Sequence, residues 1–122
     1  MIAESPVIAV VDDEDAVRRS TGRLLRAAGY GVTTFAGGAE FVEAFQSARP
    51  ACVLLDLEMP GMNGLEVLSS LARQPVRVPV IIVTGRDTQE SRRLAAGFDV
   101  AAYLEKPADA STLLAAIGAA IH

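Results

Sequence analysis

The chain has 122 residues, a formal net charge of −4, 51% hydrophobic residues and a single cysteine. This length fits one domain with an aliphatic core, the acidic balance argues against nucleic-acid binding by the chain itself, and one cysteine excludes an internal disulfide. That cysteine, Cys52, lies in an apolar run and is expected to be a small buried core residue. No apolar run is long enough to span a membrane, and the first six residues lack the features of an export signal, so we expect one cytoplasmic domain comprising residues 1–122.

The first strand is predicted at the apolar run Val7–Val11, which ends in four consecutive acidic residues, 12–15. Acidic residues are favoured at a helix N-terminus, but four in a row is more negative charge than capping needs. The helix that follows is expected to end at Gly29. The spacing of three of its arginines indicates a solvated face, with a partner-docking patch as the minority interpretation: Arg19, Arg23 and Arg26.

Strands and helices alternate along the rest of the chain. Further strands are predicted at Val32–Phe35, Cys52–Asp56, Val80–Thr84 and Ala101–Leu104. Further helices are predicted around Phe41 to Phe45, over Gly64–Arg73, over Thr88–Ala96, and after Asp109 with Leu113, Leu114, Ile117 and Ile121 inward. Five strands alternating with five helices predict a flavodoxin-like α/β fold, a doubly wound parallel sheet with strand order 2-1-3-4-5.

Polar residues stand at the C-terminal ends of four of the five predicted strands: Asp12, Asp13, Asp56, Thr84 and Lys106. Because the carboxyl ends of parallel strands lie on one edge of a sheet, these side chains are expected to converge. Two carboxylates about 4 Å apart repel by ~4 kcal/mol at an effective dielectric of 20, and a hard cation such as Mg²⁺ relieves that repulsion. Since a carboxylate can attack phosphorus and form an aspartyl-phosphate, the pattern predicts an Mg²⁺-dependent phosphoryl acceptor centred on Asp56.

Other interpretations of these residues remain open at this point. Taken singly, Asp56 could cap the next helix, Thr84 could simply end a strand, and Lys106 could be a surface lysine. A flavodoxin-like nucleotide or flavin binding module needs a Gly-rich or Ser/Thr-rich phosphate loop after the first strand, where this chain has acids. An aspartate-nucleophile phosphohydrolase of the haloacid-dehalogenase kind needs a cap and a second carboxylate two residues after the nucleophile, and Glu58 stands at that spacing.

The chain also resembles a known family, the receiver domains of two-component response regulators. The resemblance rests on four motifs in order: Val11-Asp12-Asp13-Glu14, Asp56-Leu-Glu-Met-Pro60-Gly61-Met-Asn-Gly64, Thr84-Gly85 and Tyr103-Leu-Glu-Lys106-Pro107. It covers essentially the whole chain. The first part looks most like FixJ/NarL-type (LuxR-family) regulators, whose receivers usually precede a DNA-binding output domain. Whether this chain is a stand-alone regulator or part of a longer one is left open, with the second slightly favoured.

The resemblance implies a role for each motif residue. Asp56 would accept a phosphoryl group from a phosphohistidine on a sensor histidine kinase or a phosphotransfer protein, and would lose it slowly, so the domain is not a conventional enzyme. The ligands of Mg²⁺ would be Asp12, Asp13, Asp56 and the backbone carbonyl of Glu58. Lys106 would contact the phosphate, and its bond to Pro107 is expected to be cis. Thr84 and Tyr103 would switch the face of helix four, strand five and helix five, which controls dimerisation or output.

Two further features concern the neighbourhood of this site. Glu58 and Arg86 lie two residues after Asp56 and Thr84, and we hypothesise that an ion pair between them restricts water and prolongs the phosphorylated state. The alternative is two solvated loop charges.

The chain departs from the family where Ala108 replaces a common aromatic residue and where Gly97 falls early, so helix four is predicted to be short or shifted.

Overall fold

The computed structural model describes residues 5–121. The expectation about an export signal was drawn from residues 1–6, of which residues 1–4 lie outside this described range. Strands β1 to β5 comprise Val7–Val11, Gly31–Phe35, Cys52–Leu55, Val80–Thr84 and Ala102–Glu105. Helices α1 to α5 comprise Asp15–Ala27, Gly38–Phe45, Gly64–Ala72, Gln89–Ala95 and Ala110–Ile121. The predicted alternation of five strands with five helices is confirmed.

All neighbouring strands pair in parallel, in the order β2-β1-β3-β4-β5. This is the predicted doubly wound topology. Strands β1 and β3 are direct neighbours, with Val11 opposite Leu55 in the register. The chain order reverses at this pair, and a ligand crevice forms at such a switch point. The residues that directly follow β1 and β3 therefore flank the crevice.

The core consists of two layers, one on each face of the sheet. Side chains alternate between the faces because the strand period is two residues. One layer packs α2, α3 and α4 on the sheet through residues such as Phe41, Phe45 and Val67. The other packs α1 and α5 through Leu25 and Ile117. Burying each of these side chains contributes roughly 1.5–3 kcal/mol to folding, so both faces of the sheet are anchored.

Several element boundaries differ by one residue from the sequence prediction. Strand β3 ends at Leu55 rather than at Asp56, because the Asp56 carboxylate accepts a hydrogen bond from the backbone N–H of Glu58 (3.1 Å) and the chain turns there. Strand β5 is shifted by one residue because Glu105 pairs with Thr84 of β4. Helix α3 ends one residue earlier than predicted, while α4, with seven residues, is short as expected.

The segment after Asp56 returns tightly to the start of α3. A Cβ atom on Gly64 would lie 2.5 Å from the Asp56 carbonyl oxygen and 2.6 Å from the Leu57 Cα, so only glycine fits there. Asn63 caps α3: its side chain accepts from the Glu66 N–H (2.9 Å), and the Glu66 carboxylate accepts from the Asn63 N–H (3.1 Å). The close contact and the cap together fix the loop that carries Asp56.

Two expectations from composition can be compared with the structure. Cys52 is fully buried in β3, as predicted for a small core residue. Its burial raises the pKa of the thiol to about 11, so the side chain behaves as an apolar group at neutral pH. Within residues 5–121, no helix is both long enough and apolar enough to cross a membrane.

Candidate functional site

The three predicted aspartates meet at the carboxyl edge of the sheet. Asp12 follows β1 and Asp56 follows β3, and their side chains are almost completely buried, whereas Asp13 is exposed. One carboxylate oxygen from each of the three lies within 4.8 Å of the others. The convergence expected from the strand order is therefore present, although the three residues come from two distant parts of the sequence.

Lys106 joins this cluster from the end of β5. Its Nζ lies 2.7 Å from Oδ2 of Asp12 and 3.4 Å from Oδ2 of Asp56. A third carboxylate, that of Glu14, lies 3.4 Å away. The backbone N–H of Lys106 donates to the Thr84 carbonyl (2.8 Å), which ties the lysine to the end of β4. The peptide bond from Lys106 to Pro107 is cis, as the sequence predicted.

The surroundings of the cluster shift the pKa values of both Asp56 and Lys106. Burial raises the pKa of the Asp56 carboxyl above its ordinary value, and the charge of Asp12 adds to this, although the Glu58 N–H and the Lys106 ammonium act in the opposite direction. Burial alone would lower the pKa of Lys106, but its contacts with Asp12, Asp56 and Glu14 raise it overall. The lysine is therefore firmly charged, while Asp56 is held in a site that disfavours its charged form.

The donor set fits a hard divalent cation. Three carboxylates face one lysine, so negative charge remains uncompensated. Mg²⁺ and Ca²⁺ bind carboxylate and carbonyl oxygens, and Mg²⁺ typically uses one or two carboxylates with waters and phosphate oxygens. The close approach of one oxygen from each of Asp12, Asp13 and Asp56 and the raised pKa of the Asp56 carboxyl are both consistent with such a site.

Thr84 and Tyr103 lie on the adjacent strands β4 and β5. Thr84 is fully buried at the end of β4, and its hydroxyl oxygen accepts a hydrogen bond from the Arg86 N–H (3.3 Å). The Tyr103 hydroxyl is buried and has no hydrogen-bond partner among the described residues. Burial raises the Tyr103 pKa, and the Asp87 carboxylate nearby raises it further.

Arg92 of α4 covers Tyr103. Its guanidinium carbon lies 4.6 Å from the centroid of the tyrosine ring, within the range of a cation–π contact. The same guanidinium donates two hydrogen bonds to the Asp87 carboxylate, at 2.7 and 2.8 Å. These contacts join α4 to β5, whereas the sequence alone indicates only that α4 is rich in arginine.

The remaining predicted pair is near its expected position. A guanidinium nitrogen of Arg86 lies 4.0 Å from a carboxylate oxygen of Glu58, and both side chains are more than half exposed (74% and 52%). An exposed ion pair at this distance contributes little to stability. Any effect of the two residues would therefore come from their attachment to the loops that follow Asp56 and Thr84 and not from the strength of the contact.

Arg18 was not identified from the sequence. Its side chain donates a hydrogen bond to the backbone carbonyl of Asp12 (2.7 Å) and contacts the Asp15 carboxylate at 3.3 Å. The three arginines assigned to a solvated face are indeed exposed: Arg19, Arg23 and Arg26. A signal for Arg18 was present, because it lies four and seven residues before the buried Gly22 and Leu25 and thus on the inward face of α1.

A cavity of about 400 Å³ extends from the acidic cluster between α1 and α5. Its walls include Val17 and Thr21 of α1, Leu113 of α5, and Ala108, which stands where the family often has an aromatic residue. The small alanine side chain leaves this space open at the side of Lys106.

Comparison with known proteins gives a consistent result. The family model described as the response regulator receiver domain matches residues 8–118. The transcriptional regulatory protein FixJ of Azorhizobium caulinodans is 36% identical over 118 residues, or 97% of this chain. The DNA-binding transcriptional regulator NtrC of Escherichia coli is 38% identical over 118 residues, or 94% of this chain.

Solved structures agree with the sequence relatives. The CheY-like response regulator receiver domain protein of Methanospirillum hungatei superimposes with a TM-score of 0.90 at 28% identity, covering 97% of this chain and 94% of that one. The chain spans only part of the curated relatives, 56% of FixJ and 24% of NtrC. The likeness therefore concerns one domain of those longer proteins.

Proposed function

The chain belongs to the response regulator receiver domain family, and from this premise we propose that residues 1–122 act as one receiver domain whose phosphoacceptor is Asp56. The phosphoryl group would come from a phosphohistidine on a sensor histidine kinase or a phosphotransfer protein. One observation carries the proposal: a buried carboxyl with a raised pKa lies at the switch point of the sheet, 3.4 Å from a lysine ammonium. Such a perturbed group in a crevice is typical of functional sites.

The transfer reaction assigns a separate task to each residue around Asp56. One Asp56 carboxylate oxygen forms a bond to phosphorus while the phosphorus–nitrogen bond of the donor breaks, and the imidazole that leaves takes up a proton. The Glu58 N–H holds Oδ1 of Asp56. Lys106 faces Oδ2 and would stabilise negative charge on the transferring phosphoryl group. Because Lys106 also contacts Asp12 at 2.7 Å, its ammonium is kept at the site before the donor arrives.

The cation that fits the cluster is proposed to be Mg²⁺. Its ligands would be Asp12, Asp13, Asp56 and the backbone carbonyl of Glu58. When bound, it would neutralise carboxylate charge and stabilise charge on the phosphoryl oxygens. The two buried aspartates are fixed by the sheet, and Asp13 lies on the exposed side of the cluster.

Thr84 and Tyr103 are proposed to transmit phosphorylation to the surface. The Thr84 hydroxyl would bond the new phosphate, and Tyr103 would follow on the adjacent strand, where Arg92 covers its ring. The face of α4, β5 and α5 would then bind a second copy of this chain or an output domain. We propose that this signalling takes place in the cytoplasm and that any DNA binding belongs to a separate output domain.

Intact mass measurement after incubation with acetyl phosphate tests the proposal. We expect one added phosphoryl group that requires Mg²⁺ and is absent in Asp56→Asn. Asp99→Asn, which changes an exposed aspartate paired with Arg77 outside the cluster, is the matched control and should be labelled like the wild type. Rapid release of phosphate without an adduct would favour the phosphohydrolase. Neither adduct nor release, with acetyl phosphate and with a phosphohistidine donor, would contradict the phosphoacceptor role.

The hypothesis about Glu58 and Arg86 predicts the lifetime of the adduct. Because both side chains are exposed, their effect should be modest, and we expect Glu58→Ala and Arg86→Ala each to shorten the lifetime by roughly twofold to fivefold, equivalent to about 0.4–1 kcal/mol. The measurement is loss of the added mass over time after removal of the donor. Glu90→Ala on α4 is the control and should leave the lifetime unaltered. Unchanged lifetimes in both test variants would show that the pair does not protect the phosphoryl group.

A further inference from the structure

Arg18 differs from the other arginines of α1. Its side chain is only 18% exposed, whereas the neighbouring Arg19 is 65% exposed, although both contact the Asp15 carboxylate. Of these two arginines, only Arg18 also contacts Asp12, at the start of the connection between β1 and α1. A largely buried guanidinium needs partners that satisfy its donors, and those partners are a backbone carbonyl and a carboxylate on either side of this loop.

We propose that Arg18 is a positioning residue that holds the loop from Asp12 to Asp15 in the geometry required for cation binding. The inference rests on the function proposed above and adds to it a residue outside the acidic cluster. One guanidinium nitrogen donates to the Asp12 carbonyl at 2.7 Å, and another donates to the Asp15 carboxylate at 3.3 Å. The planar guanidinium thus bridges the end of β1 and the first residue of α1, a two-point contact that a lysine cannot reproduce.

The residue most affected by this bridge is Asp13. Asp12 is held independently, since its N–H donates to Phe35 of β2 (3.1 Å) and its carboxylate accepts from Glu14 and Lys106. Asp13 is exposed and lies outside any strand or helix. Because the peptide group is planar, fixing the Asp12 carbonyl also fixes the N–H and the Cα of Asp13. Arg18 therefore restrains the backbone from which the third carboxylate of the cluster projects.

The direction of the change in Mg²⁺ affinity distinguishes a positioning role of Arg18 from a purely electrostatic one. Removing a positive charge beside a cation site should strengthen cation binding by electrostatics alone. Releasing the Asp12 carbonyl should weaken it, because Asp13 must then be ordered when the cation binds. The two mechanisms thus predict opposite changes. Groups that orient metal ligands typically account for 10–100-fold in affinity, and the lower end is expected here because only one ligand is affected.

Calorimetric titration of Mg²⁺ into the unphosphorylated protein measures the effect directly. We expect Arg18→Met, which keeps much of the aliphatic stem, to weaken Mg²⁺ binding about tenfold. Arg19→Met removes the same charge and a contact to the same Asp15, and should bind Mg²⁺ as the wild type does or slightly more tightly. If Arg18→Met does not fold, as judged by circular dichroism, Arg18→Gln replaces it with the same expected direction.

A double-mutant cycle with Asp13→Asn identifies the route of the effect. If Arg18 acts by placing Asp13, Arg18→Met should change the Mg²⁺ affinity little in the Asp13→Asn background. Affinity that is unchanged or increased in Arg18→Met, an equal loss in Arg19→Met, or full additivity in the cycle would each overturn the inference. These results would leave the proposed function intact as long as the wild type binds Mg²⁺ and accepts a phosphoryl group. A wild type that binds no Mg²⁺ would overturn both.

Discussion

Replacing Asp56 by asparagine should make the protein more stable when no divalent cation is present. The asparagine side chain would keep an oxygen that can accept the Glu58 N–H, whereas the charge would be lost. In the wild type, oxygens of Asp12 and Asp13 lie within 4.8 Å of an Asp56 oxygen. At an effective dielectric of 20, each such repulsion is roughly 3.5 kcal/mol or more. The attraction to Lys106 at 3.4 Å is roughly 5 kcal/mol on the same scale.

Burial of the Asp56 charge is the largest unfavourable contribution, and the repulsion from Asp12 adds to it, so that together they outweigh the attraction to Lys106 and the hydrogen bond from Glu58. Because Asp13 is exposed, solvent weakens its share. We expect Asp56→Asn to raise the free energy of unfolding by about 1–2 kcal/mol in EDTA at pH 7.5. For a domain of this size that corresponds to an increase in Tm of about 3–8 °C.

The raised pKa of Asp56 determines how the stability difference between Asp56→Asn and the wild type changes with pH. The folded-state pKa of Asp56 is raised, so the folded state retains this proton above the pH at which the unfolded chain loses it. The contribution of Asp56 to the stability of the wild type should fall as pH rises from the ordinary aspartate range, about 3.9, through the raised pKa. Asp56→Asn lacks this contribution, so its advantage should be absent below that range and fully developed above it.

Urea unfolding, followed by circular dichroism over a pH series, provides the measurement. Asp99→Asn changes an exposed aspartate paired with Arg77 and should alter stability by less than about 0.5 kcal/mol. Adding Mg²⁺ should stabilise the wild type more than Asp56→Asn, because ligand binding to the folded state raises its stability. The reasoning fails if Asp56→Asn is no more stable than the wild type in EDTA, or if its advantage is the same at acidic and neutral pH.

Three further substitutions or modifications test individual contacts. Tyr103→Phe removes a buried hydroxyl that has no partner among the described residues, so the free energy of unfolding should stay the same or rise by up to about 1 kcal/mol; a clear loss would reveal a bond to that hydroxyl. Gly64→Ala would place a Cβ within 2.6 Å of two backbone atoms. This substitution should lower the free energy of unfolding by roughly 2–4 kcal/mol, again measured by urea unfolding. Cys52, with a thiol pKa of about 11, should resist iodoacetamide at pH 8 until the chain is unfolded.

The sheet could be predicted from the sequence because each strand is a short apolar run bounded by charged or turn residues. The order of the strands followed from the alternation of strands and helices. The ends of the strands were less certain, since a strand end is set by its neighbour. Glu105 belongs to β5 because Thr84 pairs with it, and Asp56 leaves β3 because its side chain bonds to the Glu58 N–H. Neither contact is visible in local composition.

In the candidate site, too, the features set by the fold could be predicted, whereas those set by individual tertiary contacts could not. The convergence of Asp12, Asp56 and Lys106 was predictable, because a parallel sheet brings all its strand ends to one edge. The bridge made by Arg18 was not predicted, since it depends on the rotation of α1 about its axis. That rotation places Arg18 in line with Leu25 and leaves Arg19 in solvent. The helical period contained this information, but a charged residue within an inward face is easily assigned to the surface.

The distances within the cluster explain why the charge of Asp56 is unfavourable and relate that charge to the proposed role of the site. Lys106 lies closer to Asp12 than to Asp56, at 2.7 against 3.4 Å, so its charge is shared and Asp56 remains incompletely neutralised. A fold selected only for stability would replace one of these carboxylates by a neutral residue. Here the unfavourable charge is retained at the point where a cation would bind and a phosphoryl group would be transferred. Binding of a cation would relieve the repulsion, and addition of a phosphoryl group would place negative charge beside Lys106 again, so both proposed events would alter the energetics of residues that the adjacent strands β4 and β5 carry.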